Sequence, residues 1–451
     1  MTLGKLYPLK EPQLQFSVGK HNLAIDPRFG LKTFHPLDYN NGRRDFSSVD
    51  IGIISTEDDL DMVLNLLTNL NKPAEPLTKG RSSKVRYDGF ETIYSLPLKI
   101  PDKESDRIIS ISNSEINDII GKPNAFENII TLYNSKIQQY KDRFPGRDTL
   151  ILHMPEVFKK YFKYNYEDLR DRIKALCVTK RIYTQLLTQN SLSPYDWCDD
   201  LWNLSLGLYV KCGGIPWKLE EIEENTCFIG ISFGIKRGSG GQEILVGLAE
   251  VFDVYGESVS IKIIEEYYRN RIGLHLSRQN TKKLLEAAIE GYKEEKADIP
   301  SRVVLHKTTF FNYDEKTGVG DALGKINYDL VYIKIDTNLR LHPDGIFPPQ
   351  RGTFWRINEN KGILYTTGYV EEFKTYPGMA TASPLEIVRE YGDSDIILLA
   401  EEIFKLTKMN WNTTALMNKE PVTIDYSRKV VNLLKSGAVP EEILKDFRYY
   451  F

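Results

Sequence analysis

The sequence predicts an α/β protein of two sheet-bearing units in tandem, on two observations. Between Val49 and Leu176 compact apolar runs alternate with helical periods, whereas beyond Lys211 apolar strands follow one another before helices return. The first pattern packs as an open, mostly parallel sheet of Rossmann-like form, with ligands at the carboxyl ends of its strands. The second order, a three-strand meander, then helix, strand and further helices, is that of a ribonuclease-H-like domain. The expected divisions are a lead-in segment at 1–45, a first domain at 46–210 and a second at 211–451.

Each element has a local reason. Residues 1–45 are rich in Pro, Gly, Asn and Asp, among them Asp26, Pro27, Gly30 and Pro36, and read as short strands and turns with no core of their own. VDIGIIS, from Val49, is a compact apolar strand, and Leu60, Val63, Leu64, Leu67 and Leu70 follow at helical spacing. The unit repeats as a helix at 126–140, a strand at 149–153 and a helix at 166–176, while 71–83, with Pro73, Pro76 and Gly80, reads as a loop. In the second domain CFIGISFGI, ILVGLAEVFDV and SVSIKII are successive antiparallel strands, the first two joined by a turn at GSGG. A helix at 281–292, the strands RVVLHKT, DLVYIKID and ILYTTG, and helices at 393–406 and 426–434 complete it.

Composition limits the function. The 451 residues carry 59 Lys plus Arg against 62 Asp plus Glu, a formal charge of −3, so any nucleic acid must be met by a local patch. Cys177, Cys198, Cys212 and Cys227 form no C-x-x-C pair, which argues against a zinc ribbon or a disulfide framework and for reduced thiols near a core. The start, MTLGKLYPLKEPQLQF, has no apolar signal region and no 18-residue apolar run occurs, so a soluble cytoplasmic protein is expected.

The window 159–181 holds eight Lys or Arg against three acids, the most basic stretch in the chain. Within it Tyr166 and Arg170 stand four apart, on one face of a helix, and Lys180 follows ten residues on. A phenol and fixed cations converging near a helix start suit a terminal phosphate. The same spacing serves the solvated face of an amphipathic helix. Further on, LYVKCGGIPW joins a helix ending at Lys211 to two glycines, Pro216 and Trp217.

That phrase resembles the junction between the MID and PIWI domains of Argonaute proteins, in which a lysine before a Gly-Gly turn reaches the 5′-phosphate of a guide strand. The resemblance extends to FKLTKMNW, PVTIDYSRKVV and DPRFGLKTFHP, and so to nearly the whole chain. It identifies a short prokaryotic Argonaute, a Rossmann-like MID domain followed by a ribonuclease-H-like PIWI domain, at spacings that point to an archaeal origin. It implies a guide 5′-phosphate pocket of Tyr166, Arg170, Lys180 and Lys211, completed by the carboxylate of Phe451 at the end of DFRYYF. Arg170 stands where the family has Lys, adding a planar fork. Lys180 stands where a Gln often helps to hold a divalent metal, and its ammonium is expected to replace that charge. No cofactor is then required, and Mg2+ at the guide 5′-phosphate is optional.

Two-metal hydrolysis needs several carboxylates around two cations. At the matching family positions this sequence has Ser232, Thr308 and Arg428, which cannot build that site, so the resemblance implies a PIWI domain that is not an enzyme. Asp253 and Asp336 lie near strands, and a guide-directed endonuclease using such unplaced acids is the alternative. His153 and His306 close apolar strands and read as structural. For partners the resemblance implies a 5′-phosphorylated guide, RNA or DNA, a complementary target strand, expected to be DNA, and a separate protein carrying a PAZ-like or N-like module and a toxic effector. Target recognition would then trigger abortive infection in antiviral defence.

Overall fold

The computed structural model describes residues 4–19, 21–40, 42, 44–77, 84–146, 148–164, 167–193, 196–220, 225–237, 243–253, 257–267, 273–378, 381–437 and 446–450. The N-terminal segment ties the two larger units together. Strand β1 (Lys5–Pro8) forms the outer edge of the second domain's sheet, and Leu14–Gln15 pairs with Leu23–Ala24 and with Lys218–Leu219. The segment also holds a helix that the sequence reading missed, α1 (Pro27–Phe34). Asp26 caps it by accepting from the Arg28 and Phe29 amides at 2.7 and 3.3 Å, and Pro27 starts it with a preset φ. Beneath it, Phe16 packs on Trp217 with ring centroids 6.2 Å apart, and both are fully buried.

The first domain follows expectation. Strands β2 (Val49–Thr56), β3 (Thr149–Met154) and β4 (Tyr183–Thr188) run parallel in the order β4–β3–β2, with Leu98–Lys99 and Ile108–Ile111 parallel beside β2. Helices α2 (Leu60–Asn69), α3 (Ala125–Arg143), α4 (Leu169–Thr179) and α5 (Trp197–Lys211) accompany them. Strand β4 is absent from the sequence reading, and α4 starts at Leu169, preceded by a short pairing of Lys163–Tyr164 with Glu167–Asp168. At the end of α5, the Gly213 and Gly214 amides donate to the Val210 and Tyr209 carbonyls. Gly213 has φ of 110°, which only glycine takes without strain, so the Gly-Gly pair stops the helix at Lys211.

The second domain is one sheet of nine strands among the described residues. They are β5 (Thr226–Arg237), β6 (Glu243–Phe252), β7 (Ser258–Tyr267), β8 (Arg302–Lys307), β9 (Asn327–Lys334), β10 (Thr353–Arg356), β11 (Lys361–Leu364) and β12 (Leu385–Tyr391), with β1, in the order β1–β10–β11–β12–β9–β8–β5–β6–β7. The meander β5–β6–β7 is antiparallel, as its sequence implied, and β5, β8 and β9 are parallel neighbours. The GSGG turn at 238–241 lies outside the described residues. Helices α6 (Arg278–Lys296) and α7 (Tyr313–Leu323) pack on one face, while α8 (Ile396–Leu406) and α9 (Val422–Lys435) pack on the other. At Gly230 of β5 a Cβ would meet the Thr423 carbonyl at 1.9 Å, so glycine is what lets α9 lie directly on the strand. All four cysteines are free and buried.

Candidate functional site

Helix α4 begins with an ionic cap. Asp168 accepts from the Arg170 amide at 2.9 Å and from the Arg170 guanidinium at 3.1 and 2.8 Å, and that guanidinium lies 5.8 Å from the Phe162 ring. Burial works to raise the Asp168 carboxyl, but the Arg170 hydrogen bonds outweigh it and hold the group below its ordinary range. Arg170 itself is exposed. One turn on, and so on the same side of the helix, Lys174 is buried and donates from Nζ to the carbonyl and hydroxyl of Thr184 on β4 at 2.8 and 3.0 Å. The next residue of β4, Gln185, accepts from Lys211 Nζ at 2.6 Å. Lys211 is fully buried at the end of α5.

Burial pushes the Lys174 ammonium down to about 8. Burial also pushes Lys211 well down, helped by the charges of Lys174 and of Lys429 on α9. Lys429 is paired with Asp425 at 2.9 Å. Two helices of the first domain thus bring two buried ammonium groups together against a strand, with a partly exposed third on a helix of the second. Such a cluster penalises its own charge and is relieved by an anion with several acceptor oxygens.

The structure corrects one member of the expected pocket. Lys180 caps the far end of α4 and donates to Gln138 Oε1 of α3 at 2.6 Å, away from the Lys174–Gln185–Lys211 cluster. The reason is angular: six residues beyond Lys174 is about 240° around a helix, at the other end of α4. The residue beside Lys211 is Gln185, so the chain has a glutamine there after all. Arg170 opens the helix that carries Lys174, and Lys211 lies within the cluster. Tyr166 and Phe451 lie outside the described residues. Lys174 and Gln185 were missed, although the four-residue step from Arg170 to Lys174 was legible.

The last described residues lie between the domains. Tyr449 stacks on Tyr183 at 4.1 Å, the Tyr183 hydroxyl donates to Asp446 at 2.7 Å, and Phe447 packs on Trp411 and Tyr426. Tyr450 is buried with Ala175 and Val178 of α4 and Val430 and Leu434 of α9.

The second constellation lies on β5, β8 and α9. Ser232 and Ser427 have their hydroxyl oxygens 2.7 Å apart. Because Ser427 donates to the Thr423 carbonyl at 2.7 Å, Ser232 is the donor between them. The parallel register pairs Ile231 with Lys307, which brings Ser232, in the middle of β5, level with the exposed Thr308 just past the end of β8. Arg428 is partly exposed and paired with Glu420 at 2.9 Å. His306 is buried, bonded to the Thr423 hydroxyl at 2.9 Å and pushed down to about 3, first by burial and then by Arg302. Asp253 pairs with Lys296 at 2.5 Å, and Asp336 stands exposed beside Lys419. Among the described residues no group of three or more His, Cys, Asp or Glu could hold a metal ion. Nor is any helix there long and apolar enough to cross a membrane.

Comparison with known proteins agrees with this architecture. The Piwi domain family profile matches residues 162–438. Protein argonaute of Aquifex aeolicus is 26% identical over 310 residues, covering 67% of this chain and 41% of that protein. Protein argonaute of Thermus thermophilus is 30% identical over 134 residues, 28% of this chain and 18% of that protein. Among solved structures, Clostridium butyricum Argonaute bound to a guide DNA and a 19-mer target DNA superposes with a TM-score of 0.72 at 19% identity, covering 100% of this chain and 55% of that one. Drosophila Piwi gives 0.68 at 14% identity, covering 98% and 56%. The chain spans less than half the length of these curated relatives and about half that of the solved ones.

Proposed function

Because the chain belongs to the Piwi domain family, we propose that it holds a 5′-phosphorylated guide strand, RNA or DNA, and offers it to a complementary target strand without cutting that target. One observation carries this reading: Lys174, Gln185 and Lys211 converge, with Arg170 and Lys429 close by in the fold, where two buried ammonium groups face a dianion's needs. Sequence is then read by base pairing, while the protein holds the strand end and the backbone. The test compares binding of a labelled strand of about 20 nucleotides, with and without a 5′-phosphate, by the wild type and by Lys174→Ala and Lys211→Ala. Each lost charge-assisted contact should cost about 1.5–3 kcal/mol, roughly ten- to a hundredfold in affinity. Equal binding of phosphorylated and unphosphorylated strands would sink the reading.

The residues at the nuclease positions do not fit a pair of divalent cations. Ser232, Thr308 and Arg428 offer two hydroxyls and a guanidinium, where two-metal chemistry needs carboxylates. At the phosphate, the ammonium groups of Lys174, Lys211 and Lys429 supply the positive charge, so guide binding depends little on Mg2+ and survives EDTA. Recognition without cleavage needs an output elsewhere. That output is a separate protein with a PAZ-like or N-like module and a toxic effector, switched on when duplex completion favours the active arrangement of the complex. Its consequence is abortive infection in defence against invading nucleic acid, within the cytoplasm.

A further inference from the structure

The loop after β8 holds two large aromatic side chains in water. Phe310 is 58% exposed and Tyr313 is 81% exposed, although Phe311 between them is buried. The loop begins at Thr308, level with Ser232 in the strand register, so it leaves the carboxyl end of β8 beside the middle of β5.

What holds the loop is unusual for a surface turn. Lys307, 1% exposed, donates from Nζ to both oxygens of Glu315 at 2.6 and 2.7 Å and to the Phe310 carbonyl at 3.2 Å. Its ammonium lies 4.8 Å from the Phe233 ring and 5.0 Å from the Phe311 ring. The Phe311 amide donates to Glu390 at 3.0 Å, and Asn312 and Glu315 cap α7 reciprocally. The Phe310 ring is set on Tyr332 of β9, centroids 4.2 Å apart. A buried ion pair, a helix cap and a ring stack therefore fix an apolar platform that the protein does not bury. A preorganised aromatic surface binds without first having to be ordered.

We propose that Phe310 and Tyr313 form a stacking platform for target-strand bases left unpaired with the guide as that strand passes Ser232 and Thr308. This rests on the guide-binding reading and extends it. The charge of the loop favours bases over phosphates: Glu315 and Glu390 are matched by Lys307 and Lys316, and no cation stands between Thr308 and Tyr313. Every base has a π-face, so such a platform grips without reading sequence. It also suits the strand that needs help, because the guide is held by its own phosphate while the target has only pairing.

The test uses the full chain loaded with a 5′-phosphorylated guide. Targets carry 2-aminopurine at successive central positions, each left unpaired by a mismatch to the guide, and the proteins are wild type, the Phe310→Ala/Tyr313→Ala double variant and Phe310→Trp. Guide affinity is measured in the same samples. The expected result is unchanged guide binding and a target affinity about tenfold lower per aromatic removed. Fluorescence quenching at one or two adjacent positions should vanish in the double variant and persist with Trp. Both aromatics are exposed, so their truncation leaves the core intact. Unchanged target affinity without quenching, in a protein that keeps its guide, overturns this proposal alone, and points to a protein partner for the patch. A wild type with no preference for a 5′-phosphate overturns the guide-binding reading as well.

Discussion

Lys174 and Lys180 lie six residues apart at one helix, yet only the first is drawn into the company of Lys211. Lys180→Ala should leave affinity for a phosphorylated strand within about twofold, since surface changes away from a site are nearly neutral, whereas Lys174→Ala should lose it as argued above; the two filter-binding curves decide. The buried ammonium also sets a pH profile. Burial pushes Lys174 down to about 8 in the free protein, and a bound dianion raises that value, so the complex binds more protons than its parts. Through Lys174 alone, affinity is therefore independent of pH below about 8 and falls by up to tenfold per unit above it, until the raised value is passed, and Lys211, also pushed well down, adds a fall of the same sign. Titrating Kd between about pH 7 and 9.5 should show this fall in the wild type and a shallower one in Lys174→Met. Lys211 at the end of its helix was readable because a Gly-Gly stop leaves a mark in the sequence, whereas the helical step drawn from Tyr166 to Arg170 was not, since the helix starts at Leu169. Gln185 was not: in YTQLLT burial does not alternate strictly, only Thr184 and Leu187 being buried, so the strand that aims it carries no clean period.

At the scale of the element, the N-terminal segment was read as turns because Pro, Gly and Asp mark chain breaks. Here Asp26 and Pro27 mark a helix start instead, and only the contacts with Trp217 and the sheet edge reveal its role. The strongest tie is ionic. Glu11 accepts from Arg351 Nε at 3.0 Å and from Lys408 Nζ at 2.5 Å, and Arg351 and Lys408 are 1% and 0% exposed at their side chains. Removing the acid leaves two buried cations without it, so Glu11→Ala should lower unfolding stability by about 3–5 kcal/mol, read as a lower urea midpoint. Burial works to raise the Glu11 carboxyl, and Arg351 and Lys408 outweigh it to hold the group below 4.5. The sign follows: its contribution is complete above its ordinary value and is lost as pH falls through the lowered one. The alternating β and α units and the meander, by contrast, were readable because each strand is a continuous apolar run bounded by turns.

For the whole molecule, the proposed function makes pairing an equilibrium rather than a step toward products, and the arrangement around Ser232 accords with it. Ser232 donates to Ser427, Arg428 is paired with Glu420, and Lys307 occupies the loop's own carboxylate, so these three groups already have partners within the fold. On the proposed reading, in which no bond is broken, the lifetime of the target on the guide-loaded chain is set by the duplex itself and the surface that grips it. Each further matched base step adds about 1.4 kcal/mol of stacking, which is up to tenfold in residence time until slower conformational steps take over. A labelled target should therefore leave at full length, in the presence of magnesium or manganese, at a rate that falls stepwise with complementarity, as stopped-flow or single-molecule dwell times would record. A shortened strand whose appearance depends on the metal and is abolished by changing a single acid such as Asp253 would refute this, and would place in the chain a metal site that the described side chains do not form.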